Sequence, residues 1–283
     1  MQHLPEKRRQ LKEILEGLGS VLVCFSGGVD SAYLLSEAID CLGPARAVAF
    51  TAVSPSLAAS EKAAAERIAG ELGARLVLHG THELDDARYA RNPLNRCYFC
   101  KRTVFTQAWE IARREGLSAV VDGFNRDDRS DHTPGHAAAL ERGVRSPLDE
   151  AGFTKAEIRQ AAREKGLSVW NKPALACLAS RFPYGTAITR ARLEQVARCE
   201  AFLRACGFRV VRVRYHGDLA RIEVGLDELH RFESPDLRAT VQRAFEAQGF
   251  RRVEVDPRGY RRGALNTAHR QRPGSLGCKP PAV

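Results

Sequence analysis

The sequence predicts an α/β fold: a doubly wound, mainly parallel sheet followed by a smaller α+β domain at the C-terminal end. Three observations carry this expectation. Strand-like and helix-like stretches alternate through the first half of the chain, which implies a parallel sheet wrapped on both faces. The stretch "VLVCFSGGVDSAYLL" opens as a buried strand, turns through two glycines and continues as a helix. After residue 190 the alternation gives way to helix, two close strands, helix and strand, the pattern of a separate small unit.

The elements follow in order. A helix is expected over 6–18, a strand over 21–25, a helix over 31–41 and a strand over 45–51. A long helix over 58–72 precedes a strand over 74–78. A helix runs from about 97 to 115, and "LSAVVDG" supplies the next strand. Right-handed crossovers place the loops after these strands along one edge, where such sheets bind ligands. The stretch "TKAEIRQAAREKGL" reads as a helix capped by Thr154, with Glu157 three places on, the spacing of a capping box. "WNKPALACLASRFPYGTAIT" has two prolines, a glycine and little periodicity, so it reads as a loop. Helix 190–206, strands 209–215 and 220–224, helix 235–248 and strand 251–255 complete the second unit, with "HGD" as a tight hairpin. The expected domains are 1–185, 186–265 and a disordered tail over 266–283.

Size and composition narrow the class. At 283 residues the chain can bury a large core. No apolar run approaches the ~20 residues needed to cross a bilayer, and the charged start "MQHLPEKRRQLKEILEGLG" lacks the apolar centre of a secretion signal. A cytoplasmic protein with no membrane partner is expected. The net charge is +10 and arginine far outnumbers lysine; arginine forks suit phosphate and carboxylate ligands, although a compositional preference explains most of them equally well. The positive charge is spread along the chain without an RNA-binding motif, so nucleic acid is not the expected partner. Eight cysteines in a chain of this kind point to metal binding or catalysis rather than a disulfide framework.

The glycine junction "SGGVDS" has a physical reading. Adjacent glycines let a ligand approach the backbone, and the following helix directs its free N–H groups and positive dipole end at the same spot. Ser26 and Ser31 add hydroxyl donors to this anion cradle. The familiar phosphate loop carries a lysine that reaches the terminal phosphates; here Val29 and Asp30 stand in its place. An aspartate in an anion nest requires a cation beside it, an ammonium or a metal ion, and Mg²⁺ chelated by pyrophosphate is the obvious one. "SGGVDS" resembles the pyrophosphate loop of the PP-loop ATP pyrophosphatases, a HUP-like fold. The resemblance implies that ATP is split between its α and β phosphates and that a substrate is adenylylated.

The cysteines fall into two groups. Cys97 and Cys100 in "NRCYFCKR" have C-x2-C spacing, and Arg96, Lys101 and Arg102 beside them are expected to favour thiolate. Cys177 in "KPALACLASRFPYG" sits in a loop with Lys172, Ser180 and Arg181 close by, an electropositive setting expected to activate a thiol. Zinc usually takes a fourth protein ligand, and none is obvious. Three thiolates with one open corner suit a 4Fe–4S cluster; a half-buried pair at a helix start is the plainer account of Cys97 and Cys100. Cys24 and Cys41 read as strand and helix-end packing, Cys199 and Cys206 as core, and Cys278 belongs to the tail.

Together, "SGGVDS", "NRCYFCK", "GFNRDDRSDHTPGHAAALERGVRSPL", "KPALACLASRFPYG" and "RVRYHGDLARIEV" resemble the LarE family of ATP-dependent sacrificial sulfur transferases. The resemblance implies adenylylation of the carboxylates of a pyridinium biscarboxylate mononucleotide and their conversion to thiocarboxylates, on the way to the nickel-pincer nucleotide. The sulfur comes from a protein cysteine in one form of the family and through a three-cysteine iron–sulfur cluster in another. The arrangement here favours the second, with Cys97, Cys100 and Cys177 as ligands; in the first, Cys177 is the donor.

On this reading Ser26, Gly27, Gly28, Asp30 and Ser31 bind pyrophosphate and its Mg²⁺. Asn125 and Asp128 contact ATP or metal, with a turn-capping role as the rival account. Ser180, Arg181, Arg212 and Arg214 bind substrate; Arg212 and Arg214 alternate on one strand and share a face, which an exposed strand would also produce. Glu200 is a candidate metal ligand, with a solvated helix carboxylate as the simpler account. His132 and His136 read as loop residues, because Pro134 and Gly135 between them spoil a helix. Partners implied are the nucleotide substrate, other nickel-pincer biosynthesis proteins and further copies of the chain in a homo-oligomer. The rival functions are a tRNA thiolase, an ammonia-using synthetase and a non-catalytic adenine-nucleotide-binding regulator.

Overall fold

In the computed structural model the described residues are 3–130, 134–173 and 176–261. They form two compact units, one ending at Cys177 and the other beginning at Leu178. The expected tail, Cys278 and His132 lie outside the described residues. Among the described residues no helix is long and apolar enough to cross a membrane.

The first unit runs α1 (Leu4–Leu18), β1 (Val21–Cys24), α2 (Val29–Leu42), β2 (Ala47–Val53), α3 (Ala59–Glu71), β3 (Leu76–Gly80), α4 (Ala87–Ala90), α5 (Arg96–Arg114), β4 (Ala119–Val121), α6 (Pro134–Glu141), α7 (Pro147–Glu150) and α8 (Lys155–Glu164). Its four strands are all parallel in the order β3-β2-β1-β4. The winding is visible within β1: Val21 and Val23 pack into a core with Leu11, Leu34 and Ile158, while Leu22 points into another with Phe105, Ile111 and Val120. A strand buried on both faces must be apolar throughout, as this one is.

This order places a topological switch between β1 and β4, because the chain winds outward through β2 and β3 and then returns to the other side of β1. Open sheets bind ligands at that point, beyond the carboxyl ends of the strands. The loop over residues 25–28 and the loop after Val121 both leave the sheet there.

The second unit contains α9 (Arg190–Ala205), β5 (Val211–His216), β6 (Leu219–Val224), α10 (Pro235–Glu246) and β7 (Arg252–Val255). β5 and β6 pair antiparallel across a two-residue turn, with Gly217 at φ +72°, and β7 joins β6 in parallel. Leu193, Cys199, Val213, Ile222, Phe245 and Phe250 are buried in its core.

Several boundaries differ from expectation for identifiable reasons. β3 starts at Leu76 rather than residue 74 because the Ala74 N–H still closes the end of α3 on the Ala69 carbonyl. β5 starts at Val211 rather than 209 because the N–H groups of Arg209 and Val210 donate to the buried Glu228 carboxylate at 2.9 and 3.2 Å instead of to a strand. The loop reading of His136 is corrected: it lies within α6, where Pro134 occupies the first helical position and its missing N–H breaks no intrahelical bond. α2 begins at Val29, two residues early, so Asp30 sits in the first helical turn rather than in the loop.

Candidate active site

The glycine junction is built from its own side chains. The Ser26 N–H donates to Ser31 Oγ at 3.2 Å, and Ser31 Oγ donates to the Gly28 carbonyl at 3.2 Å. The Gly28 N–H donates to Ser26 Oγ at 3.4 Å. Gly27 has φ +68°, and a Cβ there would lie 3.1 Å from the Ala65 Cα of α3. Glycine is required at 27 by backbone conformation and close approach together. Across the switch point, a Cβ on Gly123 would lie 3.0 Å from the Ser31 nitrogen, so the loop after β4 closes against the start of α2.

Asp30 projects from that first turn. One carboxylate oxygen pairs with the Lys155 ammonium, while Oδ1 is buried without a hydrogen-bond partner among the described residues. A desolvated carboxylate oxygen of this kind is costly unless a cation takes it, and its hard oxygen chemistry fits Mg²⁺. Lys155 is held in place by the capping box of α8, in which Thr154 Oγ1 and Glu157 bond each other's backbone and Lys7 Nζ donates to Glu157 and the Gly152 carbonyl. The Lys155 N–H also donates to Asp127 at 2.9 Å. Lys172, expected beside Cys177, directs its ammonium to the Gly27 carbonyl at 3.0 Å and to Glu61 at 3.2 Å.

Asn125 and Asp128 lie next to this junction, after β4. Asn125 is buried; its Oδ1 accepts the Asp127 N–H at 3.0 Å, and Asp128 Oδ2 accepts the Asn125 N–H at 3.1 Å. Both side chains therefore cap the turn that carries them.

Cys97 and Cys100 occupy the first turns of α5. Each feels the charge of Cys177, which places the three sulfurs within electrostatic reach of one another. Cys97 and Cys177 are exposed and Cys100 is half-buried. The expectation that neighbouring cations favour thiolate at 97 and 100 is overturned. Desolvation around each sulfur pushes both thiols above their ordinary range, Glu83 adds to the effect at Cys100, and Arg96 and Lys101 offset only part of it. The Cys100 thiol donates to Glu83 Oε1 at 3.8 Å, and Thr81 Oγ1 donates to Oε2 at 2.9 Å. Three thiols sharing one neighbourhood have the donor chemistry of an iron–sulfur cluster. Among the described residues no group of three potential ligands is disposed around a single metal ion.

The other thiols behave as packing groups: burial pushes Cys24 and Cys199 up to about 12. Iodoacetamide at pH 8 should therefore label the exposed Cys177 at least about tenfold faster than Cys24 or Cys199, as read by peptide mass spectrometry. Equal labelling would contradict the burial described.

In the second unit, Ser180, Arg181, Arg212 and Arg214 form one cluster with Glu200 and Glu223. Arg181 is buried and donates to Glu200 through Nε at 2.7 Å and Nη2 at 3.0 Å, and to Ser180 Oγ through Nη1 at 3.0 Å. Glu200, fully buried, also accepts from Arg204 at 3.0 Å and from the Val213 N–H at 3.1 Å. Its carboxylate thus serves two guanidiniums and a strand rather than solvent. Arg214 donates to Glu223 at 2.7 Å and to the Ser180 carbonyl at 2.9 Å. Arg212 is buried, stacks over Tyr260 at 4.9 Å and donates to the Val211 carbonyl, but forms no ion pair among the described residues. Burial, and secondarily Arg181, hold its pKa below the ordinary arginine value. A buried guanidinium that forms no ion pair keeps donors free to bond an anion.

Sequence reasoning did not single out Lys155, Glu61 or Glu83. The first had a legible hint, since an aspartate in an anion nest calls for a cation; nothing local marks the other two.

No protein-family model matches the chain. It is similar to an uncharacterized protein of Synechocystis sp., with 42% identity over 263 residues, 93% of this chain and 98% of that protein. It is also similar to the pyridinium-3,5-bisthiocarboxylic acid mononucleotide synthase of Lactiplantibacillus plantarum, with 38% identity over 266 residues, 94% of this chain and 96% of that protein.

Proposed function

The chain belongs to the LarE family, and on that premise we propose that it is an ATP-dependent sulfur transferase acting on a pyridinium biscarboxylate mononucleotide in nickel-pincer nucleotide biosynthesis. The observation that carries this reading is the gathering of Cys97, Cys100 and Cys177 in the unit that also bears the glycine junction.

In the first step a substrate carboxylate attacks the α phosphorus of ATP and pyrophosphate leaves. Ser26, Gly27, Gly28 and Ser31 would receive the pyrophosphate on backbone N–H groups and hydroxyls. Asp30 would hold Mg²⁺ through Oδ1, and that ion would neutralise charge on the phosphates. Asn125 and Asp128, besides capping their turn, would border the nucleotide. Arg212, Arg214, Ser180 and Arg181 would bind the substrate's phosphate and carboxylates; Glu200 would orient Arg181 rather than bind metal.

In the second step a sulfur nucleophile attacks the acyl carbon and AMP departs, a far better leaving group than oxide. Neither step transfers the γ-phosphate, so the loop needs no lysine of the kinase type. Cys177 would supply the sulfur directly by later cleavage of its Cβ–S bond. Alternatively, Cys97, Cys100 and Cys177 would hold a 4Fe–4S cluster that, when bound, supplies sulfide. Nucleotide chemistry is assigned to residues 1–185, and homo-oligomer assembly together with the Arg212 and Arg214 share of substrate binding to 186–265.

The test is turnover under anaerobic conditions with Mg²⁺, ATP and the pyridinium biscarboxylate mononucleotide. AMP, pyrophosphate and thiocarboxylate should form, and Cys177→Ala should lose thiocarboxylate formation while AMP release persists. Release of ADP would refute the reading. Iron and sulfide analysis of anaerobically prepared protein separates the sulfur sources. Stoichiometric iron lost in Cys97→Ala supports the cluster, whereas loss of the elements of hydrogen sulfide from the chain after turnover identifies a consumed cysteine.

A further inference from the structure

Resting on the nucleotide reading above, we infer that Lys155 and Lys172 are the pyrophosphate-binding cations of this chain, replacing in space the lysine that its glycine loop lacks in sequence. The two residues come from the start of α8 and from the loop that follows it, far along the chain from the junction they meet. Lys172 places its ammonium on the carbonyl of Gly27, the residue whose positive φ shapes the turn. Lys155 pairs with Asp30 in the first turn of α2. Both side chains are largely buried, at 26% exposure for Lys155 and 19% for Lys172.

The charges explain why both are needed. The helix start and the loop N–H groups attract an anion, but Asp30 beside them repels it. Lys155 cancels that repulsion through one carboxylate oxygen and leaves Oδ1 for a second cation. Lys172 is balanced by Glu61 at 3.2 Å, so its ammonium sits at the loop without adding net positive charge. Two ammoniums against two carboxylates leave the backbone dipoles to set the sign, which favours an anion. A lysine carries three donors on a flexible stem, so each can turn to phosphate oxygens when these arrive. The clamped first turn of α8 limits how far Lys155 can wander.

The experiment titrates the full chain with pyrophosphate, ATP and AMP by calorimetry, alongside Lys155→Met and Lys172→Met. Each variant should weaken pyrophosphate and ATP binding about tenfold or more, the loss expected for a hydrogen bond to a charged group. AMP, which lacks the pyrophosphate moiety, should bind each variant within about threefold of the unsubstituted chain by the same reasoning. Lys172→Arg, which keeps the charge, should recover part of the loss. Unchanged pyrophosphate affinity in both variants would overturn the assignment, as would parallel loss of AMP binding, which would make the lysines part of the scaffold. If the unsubstituted chain binds neither pyrophosphate nor ATP, the nucleotide reading itself fails and takes this assignment with it. If it binds both and the variants match it, only the lysine assignment falls.

Discussion

Glu200→Ala should destabilise the second unit by about 3–5 kcal/mol, the cost of breaking a buried ion pair from one side. The carboxylate is fully buried and accepts four hydrogen bonds, two from Arg181, one from Arg204 and one from the Val213 N–H. Removing it takes both carboxylate bonds from a guanidinium that is itself only 3% exposed and unties α9 from β5. Burial pushes the Glu200 carboxyl up, but the hydrogen bonds and charge of Arg181 outweigh it and hold the group below its ordinary value. A depressed carboxyl stabilises the fold above its unfolded pKa, about 4.3, and that contribution disappears as pH falls through the folded value. Urea unfolding should therefore show the unsubstituted chain losing stability below about pH 4.3, with the variant losing less over the same window. If Glu200 served mainly as a metal ligand, a chelator would lower stability and the substitution would cost little more; chelation is expected to have no effect on this unit.

Gly27→Ala should be a damaging single-methyl change in the first unit. The left-handed backbone at φ +68° costs an alanine about 1–2 kcal/mol, and the added methyl would press on α3 backbone at 3.1–3.3 Å. Relief requires the loop or α3 to move, which displaces the loop N–H groups proposed to receive pyrophosphate. Thermal unfolding should register a loss of about 2 kcal/mol, and on the proposed nucleotide reading ATP affinity should fall by about tenfold or more as the loop donors shift. Gly28→Ala is the control: φ is −86° and the nearest atom is Ser26 Oγ at 3.4 Å, so the fold should tolerate it. Equal effects of the two substitutions would refute the geometric argument.

These contrasts show which parts of the molecule were legible in advance. The capping box of α8 was readable because Thr154 and Glu157 lie three residues apart and bond each other's backbone. The hairpin at Gly217 and the parallel alternation were readable for the same reason, since turn chemistry and crossover length are local properties. The failures have one physical origin. β5 starts late because a glutamate from another element captures its first N–H groups. The thiols at 97 and 100 are raised rather than lowered because charged neighbours are visible in a sequence and desolvation is not. The bonds of Lys172 to the Gly27 carbonyl and to Glu61 were not legible, because adjacency along the chain does not say where a flexible ammonium goes.

By itself, the order of residues determined the α/β class, the glycine junction and the set of thiols, since each depends on short-range backbone preference or on residue type. Only the tertiary structure decided which charges meet. Asp30 and Lys155 stand 125 residues apart and Gly27 and Lys172 stand 145 apart, and those pairs form because sheet winding carries α8 and the loop after it back to the end of β1. Burial, which sets both thiol protonation and the cost of removing Glu200, exists only once that winding is complete.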